Sequence, residues 1–283
     1  MAGRTFAVGD IHGDIQALET LLGKLPLTPR DTLVFIGDYV DRGPDSLGVV
    51  SRVRDLELNG LCRVIALRGN HEDVWARARD ESQPGFFLHH GNGCMATYRS
   101  FAKKPPLPPN TPFSDDDLIG MLRVDGWFPT DLAFWFANLR TWFEDEHAIY
   151  VHAGLDANES GYLHPTKGRE RPLLWTREAA FFRTYRGKRV VFGHTRTRDL
   201  PAVSAASDAA APGMPRADGA PEICPGEIPS DMELLGKPDE VWLSGDLIGL
   251  DTGAGMGGHL SAVELPSLTV YSSRLPTLVL PRP

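Results

Sequence analysis

Short apolar runs alternate with amphipathic stretches along the first seventy residues. Residues 5–10 (Thr-Phe-Ala-Val-Gly-Asp) read as a buried strand running into a turn. Ile15, Leu18, Leu21, Leu22 and Leu25 then recur at helical spacing. Residues 32–37 (Thr-Leu-Val-Phe-Ile-Gly) form a second apolar strand, and 46–58 a helix carrying Leu47, Val50, Val53 and Leu58. Residues 62–67 (Cys-Arg-Val-Ile-Ala-Leu) form a third strand. The opening is β-α-β-α-β, the pattern of right-handed crossovers in an α/β sheet.

Further along, the run Lys-Lys-Pro-Pro-Leu-Pro-Pro-Asn-Thr-Pro at 103–112 excludes helix and inner strand. Ser114 with Asp117 three residues on predicts a helix cap, a helix to about Leu122, and another helix over 130–139. Strands are predicted at 141–145 and 147–152, with a tight turn around Asp145-Glu146, and at 188–193. Strand-like segments resume at 246–251, 260–265 and 268–273, the last two joined across Pro266-Ser267. Between the 188–193 and 246–251 segments, residues 198–240 hold seven prolines, eight alanines and few large apolar side chains. It reads as a surface excursion inserted into a single domain spanning 1–283.

Composition narrows the partners. The chain has 283 residues, 42% of them apolar, enough for a substantial core. Lys and Arg number 29 against 37 Asp and Glu, a net charge of −8, which argues against a nucleic-acid backbone as ligand. No run approaches 18 uninterrupted apolar residues, so a spanning helix is not expected and neither is a membrane partner. Cys62, Cys94 and Cys224 are odd in number and form no CxxC pair. With no apolar signal core at the start, the expectation is a cytoplasmic monomer with reduced, chemically inert thiols.

The candidate chemistry lies in five short motifs, each at the end of a strand and flanked by glycine: Gly9-Asp10-Ile11-His12-Gly13, Gly37-Asp38-Tyr39-Val40-Asp41-Arg42-Gly43, Gly69-Asn70-His71-Glu72, His152-Ala153-Gly154 and Gly193-His194-Thr195. In an open α/β sheet, ligands collect at those ends. The set is carboxylate, amide and imidazole without thiolate, which suits divalent ions of intermediate hardness such as manganese, iron or zinc. Six candidate ligands are too many for one tetrahedral ion and suit two ions sharing a carboxylate.

In this order, the motifs resemble those of the phosphoprotein phosphatase branch of the calcineurin-like metallophosphoesterases. The match runs from Asp10 to His194 and resumes near Gly249-Leu-Asp-Thr-Gly-Ala254; residues 78–135 and 198–240 carry no matching motif. The resemblance implies an α/β fold, a central β-sandwich of mixed sheets flanked by helices in four αββα layers. It also implies two divalent metal ions, manganese foremost, with Asp10 and His12 on one, Asp38 bridging, and Asn70, His152 and His194 on the other. In-line attack on a phosphate monoester by a bridging water or hydroxide then follows. His71 is the candidate proton donor to the leaving group, oriented by Asp41. Arg42 and Arg177, together with Asn70, are the candidate phosphate-binding residues.

Two substrates fit this site. One is a serine or threonine phosphoprotein or phosphopeptide, together with small phosphomonoesters. The other is a symmetrical dinucleoside tetraphosphate. Hydrolases of the latter typically carry alanine in place of the aspartate of Asp-Arg-Gly and end the third motif in aspartate. Here Asp41 and Glu72 stand instead. An alkoxide needs an acid to leave, whereas a nucleotide phosphate leaves without one, so the monoester is expected. Retention of every ligand speaks against a dead binding domain, and the acidic charge against a nucleic-acid phosphodiesterase. His89, His90, His147, His164 and His259 are expected to be structural, as is the aromatic cluster Trp127, Phe128, Phe134, Trp135 and Phe136. Arg68 is expected to pair with a nearby acid.

Overall fold

The computed structural model describes residues 3–79, 84–108, 111–201, 240–274 and the short strand at 278–279. The first apolar runs become strands β1 (Thr5–Val8), β2 (Thr32–Phe35) and β3 (Arg63–Ala66), all parallel. Helices α1 (Ile15–Leu22) and α2 (Ser46–Asn59) cross between them. Asp14 and Asp45 start these two helices, their side chains accepting from the N–H groups of Ala17 and Gly48. Helix α3 (Asn70–Arg77) follows β3 at once, and then come α4 (Pro84–Phe87), α5 (Cys94–Phe101), α6 (Asp115–Leu122) and α7 (Thr130–Asn138). The expected Ser114 cap is present, accepting from Asp117 N–H at 3.2 Å.

The second half supplies β4 (Trp142–Glu144) and β5 (Ile149–Val151), then the small hairpin β6 (Ala157–Asn158) and β7 (Gly161–Tyr162). After it come α8 (Glu170–Trp175), α9 (Ala179–Thr184), β8 (Val190–Phe192), β9 (Trp242–Ser244) and β10 (Leu247–Gly249). Strands β11 (Ser261–Leu265), β12 (Thr269–Ser272) and β13 (Leu278–Val279) complete the order. The two sheets run β13-β12-β11-β1-β2-β3 and β4-β5-β8-β10-β9. Strands β5, β8 and β10 are mutually parallel, while β11 joins β1 antiparallel. The excursion expected at 198–240 falls mostly on 202–239, outside the described residues, as does Cys224. Chain on both sides of it builds the same sheets.

Each inner strand is buried on both faces, so it reads as a continuous apolar run. Alternation sorts its side chains between two cores. Ala7, Val34 and Ile36 face Tyr150, Val191 and Ile248 between the sheets. Phe6, Val8, Leu33 and Phe35 face the layer of α1–α3 and α7. Val190 and Phe192 face α8 and α9 on the opposite side. The result is the four-layer αββα sandwich that the motifs implied. Of the aromatic cluster, Phe128 and Phe136 are buried in the helical layer, but Phe134 is 71% exposed, because α7 turns that face to solvent. Among the described residues no helix is long and apolar enough to cross a membrane.

Candidate metal centre

The parallel strands of the two sheets deliver the motifs to one place. Asp10 and His12 follow β1; Asp38, Asp41 and Arg42 follow β2; Asn70 and His71 open α3 directly after β3; His152 follows β5 and His194 follows β8. The loops are sharply bent. His12, Asp38, Asp41, Arg42 and His194 all hold left-handed backbone, with φ of 45°, 54°, 71°, 67° and 63°. Each such residue costs about 1–2 kcal/mol relative to an ordinary conformation. Crossed backbone bonds hold them there: Ile11 and His12 N–H donate to Asp38 O at 3.0 and 2.9 Å, and Gly43 N–H donates to His12 O at 2.9 Å. Buried Glu72 fastens the loop after β2 by accepting from Asp38 N–H at 2.8 Å, Tyr39 N–H at 2.8 Å and Gly69 N–H at 3.0 Å.

Two groups of ligating atoms result. Atoms of His12, Asp38 and His71 lie within 4.8 Å of one another, and so do atoms of Asp38, His152 and His194. Asp38 is common to both. Asn70 joins the second group: its Oδ1 sits 2.9 Å from both His152 Nε2 and His194 Nδ1. Asp10 is part of neither tight group. Its Oδ2 accepts from His194 N–H at 3.0 Å, and its buried Oδ1 has no hydrogen-bond partner. A buried carboxylate oxygen without a donor is costly, and a cation is the partner that removes the cost. This orphaned oxygen, beside a nitrogen and oxygen donor set without thiolate, fits divalent ions.

The electrostatics point the same way. Burial, then the charge of Arg42, pushes the His12 imidazole well below its ordinary value. Burial lowers His152 as well, and burial together with Arg177 lowers His194. A metal-ligating imidazole must be neutral, and these are held neutral in advance. Burial raises the Asp38 carboxyl, but attraction to His152, His71, His12 and Arg42 outweighs it and holds the group below its ordinary value; of these, Arg42 keeps its charge when the imidazoles are neutral. Asp10 moves up instead, through burial and the nearby charges of Asp251 and Asp38.

Beside the two groups stands a buried dyad. His71 Nδ1 and Asp41 Oδ2 are 2.6 Å apart, and His71 Nε2 faces Asp38 Oδ2 at 3.8 Å. Two arginines flank the centre. Arg42 Nη1 lies 2.5 Å from His12 Nε2, while Arg177 donates from Nε to His194 Nε2 and from Nη2 to His194 O, both at 3.1 Å. All ten candidate residues therefore meet in one region. Arg68 instead pairs with Glu170 and with Asp73 at 3.5 Å, as expected of it.

Sequence reasoning missed the residues that hold Asp41. Thr97 Oγ1 donates to Asp41 Oδ1 at 2.6 Å, and Trp75 Nε1 donates to the same oxygen at 3.0 Å. Trp75 is four residues after His71 on α3, a same-face spacing that could have found it. Thr97 lies on α5, in a stretch without any motif. Asp251, just beyond β10 in the Gly249–Ala254 segment, is wholly buried, and its Oδ2 also lacks a hydrogen-bond partner. The Cys94 thiol sits 3.5 Å from Asp41 Oδ2, and burial pushes it well up, which keeps it a thiol.

The chain is similar to several known proteins. Over 87 residues the chain is 40% identical to serine/threonine-protein phosphatase 1 of Salmonella typhimurium, covering 30% of this chain and 38% of that one. It is 26% identical over 210 residues to the serine/threonine-protein phosphatase 6 catalytic subunit of Drosophila melanogaster, covering 69% and 58%. It is also 30% identical over 156 residues to the symmetrical bis(5'-nucleosyl)-tetraphosphatase of Cronobacter sakazakii, covering 53% and 43%. The chain thus spans less than two thirds of the length of each of these relatives. In fold it is similar to the cold-active protein-tyrosine phosphatase of a psychrophilic Shewanella, with a TM-score of 0.56 at 15% identity, covering 99% of this chain and 81% of that one. Residues 3–197 match the calcineurin-like phosphoesterases. Members of that family use divalent metals, and the chain belongs to the calcineurin-like phosphoesterase family.

Proposed function

We propose that this protein is a phosphoprotein phosphatase that hydrolyses serine and threonine phosphate monoesters with two divalent ions, manganese foremost and iron or zinc as alternatives. Asp10, His12 and Asp38 would hold one ion, and Asp38, Asn70, His152 and His194 the other. Bound there, the ions would neutralise the phosphate dianion and lower the pKa of a water. Arg42 and Arg177 fork onto the phosphate oxygens, assisted by the Asn70 amide, and so fix the ester for in-line attack. His71 donates its Nε2 proton to the departing alkoxide. Asp41 keeps Nδ1 protonated and the ring aimed, while Thr97 and Trp75 keep Asp41 in place. On this reading 198–240 is an insertion in one domain.

The observation that carries the reading is the buried 2.6 Å contact between His71 and Asp41. An acid dyad has a role only where the leaving group is a poor one. A second reading, the symmetrical tetraphosphatase, is favoured by relatives that bear that name. The test is kcat/KM of the manganese-loaded protein on a phosphoserine peptide and on diadenosine tetraphosphate. The peptide is expected to be the better substrate; far faster cleavage of the tetraphosphate would overturn the proposal.

A further inference from the structure

A groove of about 980 Å³ opens beside the candidate metal centre. Its walls come from the α4–α5 region and the proline-rich stretch, where the sequence carries no motif. Arg42 lines it together with Leu88, His90, Met95, Leu107 and Phe113. Arg42 belongs to both spaces. Its side chain reaches His12, while its backbone N–H donates to Gly93 O at 3.1 Å, directly before α5. A molecule whose phosphate rests on Arg42 therefore has the groove as its next neighbour.

The chemistry of the wall selects the occupant. Leu88 is 42% exposed, an uncovered large apolar side chain on the rim. Phe113 carries the His90 ring stacked on one face, with centroids 4.5 Å apart and planes 11° from parallel. Among the described residues of the wall, Arg99 is the one arginine or lysine besides Arg42. It is already bonded to Asp117 Oδ2 at 2.8 Å and to Pro105 O at 2.7 Å. A nucleotide half of a tetraphosphate would bring additional anionic phosphate to a wall whose second arginine is committed elsewhere. An apolar peptide segment brings what this wall can bury.

We propose that the groove is a subsite for apolar side chains flanking the phosphorylated residue of a phosphoprotein substrate. This rests on the phosphatase reading and names the sequence class that it would favour. Two phosphoserine peptides, one flanked by leucines and one by aspartates, provide the comparison, with p-nitrophenyl phosphate as a substrate too small to reach the groove. For the unaltered protein the leucine peptide is expected to have a kcat/KM higher by roughly tenfold or more, as burial of one large side chain allows. Leu88→Glu and, separately, Phe113→Glu should abolish that preference through KM while leaving p-nitrophenyl phosphate turnover unchanged. Equal use of both peptides by the unaltered protein would overturn the subsite and leave the phosphatase reading standing, as would a preference that survives both substitutions. If diadenosine tetraphosphate is cleaved and neither peptide is, the phosphatase reading itself falls, and the subsite falls with it. A raised KM for the tetraphosphate in Leu88→Glu would then assign the groove to a nucleoside.

Discussion

Replacing Asp41 with asparagine changes one charge in a fully buried place and keeps the shape. The new side chain would retain an oxygen for Thr97 and Trp75, which donate to Asp41 Oδ1 at 2.6 and 3.0 Å. It would set an amide N–H₂ against His71 Nδ1, where a carboxylate oxygen now lies at 2.6 Å. Two donors cannot share that contact, so His71 must give up its Nδ1 proton and stay neutral. A hydrogen bond to a charged partner contributes about 1.5–3 kcal/mol. At 1.36 kcal/mol per decade, its loss from the transition state slows proton donation by about 10- to 160-fold. That cost falls on substrates needing the proton. Steady-state kcat is expected to drop by this factor for a phosphoserine peptide, but by less than about threefold for p-nitrophenyl phosphate, whose phenolate leaves unaided. Metal content, measured on the same sample, should be unchanged. Equal slowing on both esters, with metal retained, would remove the dyad from proton transfer.

Asp38→Asn should abolish tight metal binding as well as turnover, because Asp38 alone belongs to both groups of ligating atoms; calorimetry that still finds two ions would contradict the assignment. The metal-free protein should be most stable near pH 6.5. Burial and Asp38 raise the Glu72 carboxyl from 4.5 to about 8, so the folded state holds its proton longer than the unfolded chain, and this contribution is lost as pH rises towards 8. Buried His12, His152 and His194 are held below 6.5, so their contribution is lost as pH falls below that value. Thermal unfolding in chelator from pH 5 to 8 checks the maximum, and a Tm that climbs steadily to pH 8 would refute it.

The sequence placed nearly every inner strand because each lies between two apolar layers and needs an unbroken apolar run. Residues 5–10, 32–37 and 188–193 are of that kind. It placed the cap at Ser114 and the turn at Asp145, where Oδ1 accepts from His147 and Ala148 N–H at 2.8 and 3.0 Å, because those signals are local. Strand β9 and the hairpin β6–β7 escaped it. They are two or three residues long, too short for a period to register. Helices α4 and α5 also escaped, in a stretch broken by proline and glycine.

For the candidate site, residue identity was legible because ion ligands are few in kind and the glycines beside them mark strand ends. By itself the sequence determined the order of the motifs, the parallel opening and the donor set. Only the tertiary structure decided which donors meet. Asp38 comes within reach of His152, 114 residues away, because strands of two different sheets end at one edge. The same packing brought Thr97 and Trp75 onto Asp41, and left Asp10 and Asp251 each with a buried oxygen lacking a hydrogen-bond partner. Contacts of that kind depend on how layers stack, and stacking is a property of the whole chain. Local pattern reports which face of a strand is apolar; it carries no information on which loop will lie across the sandwich edge.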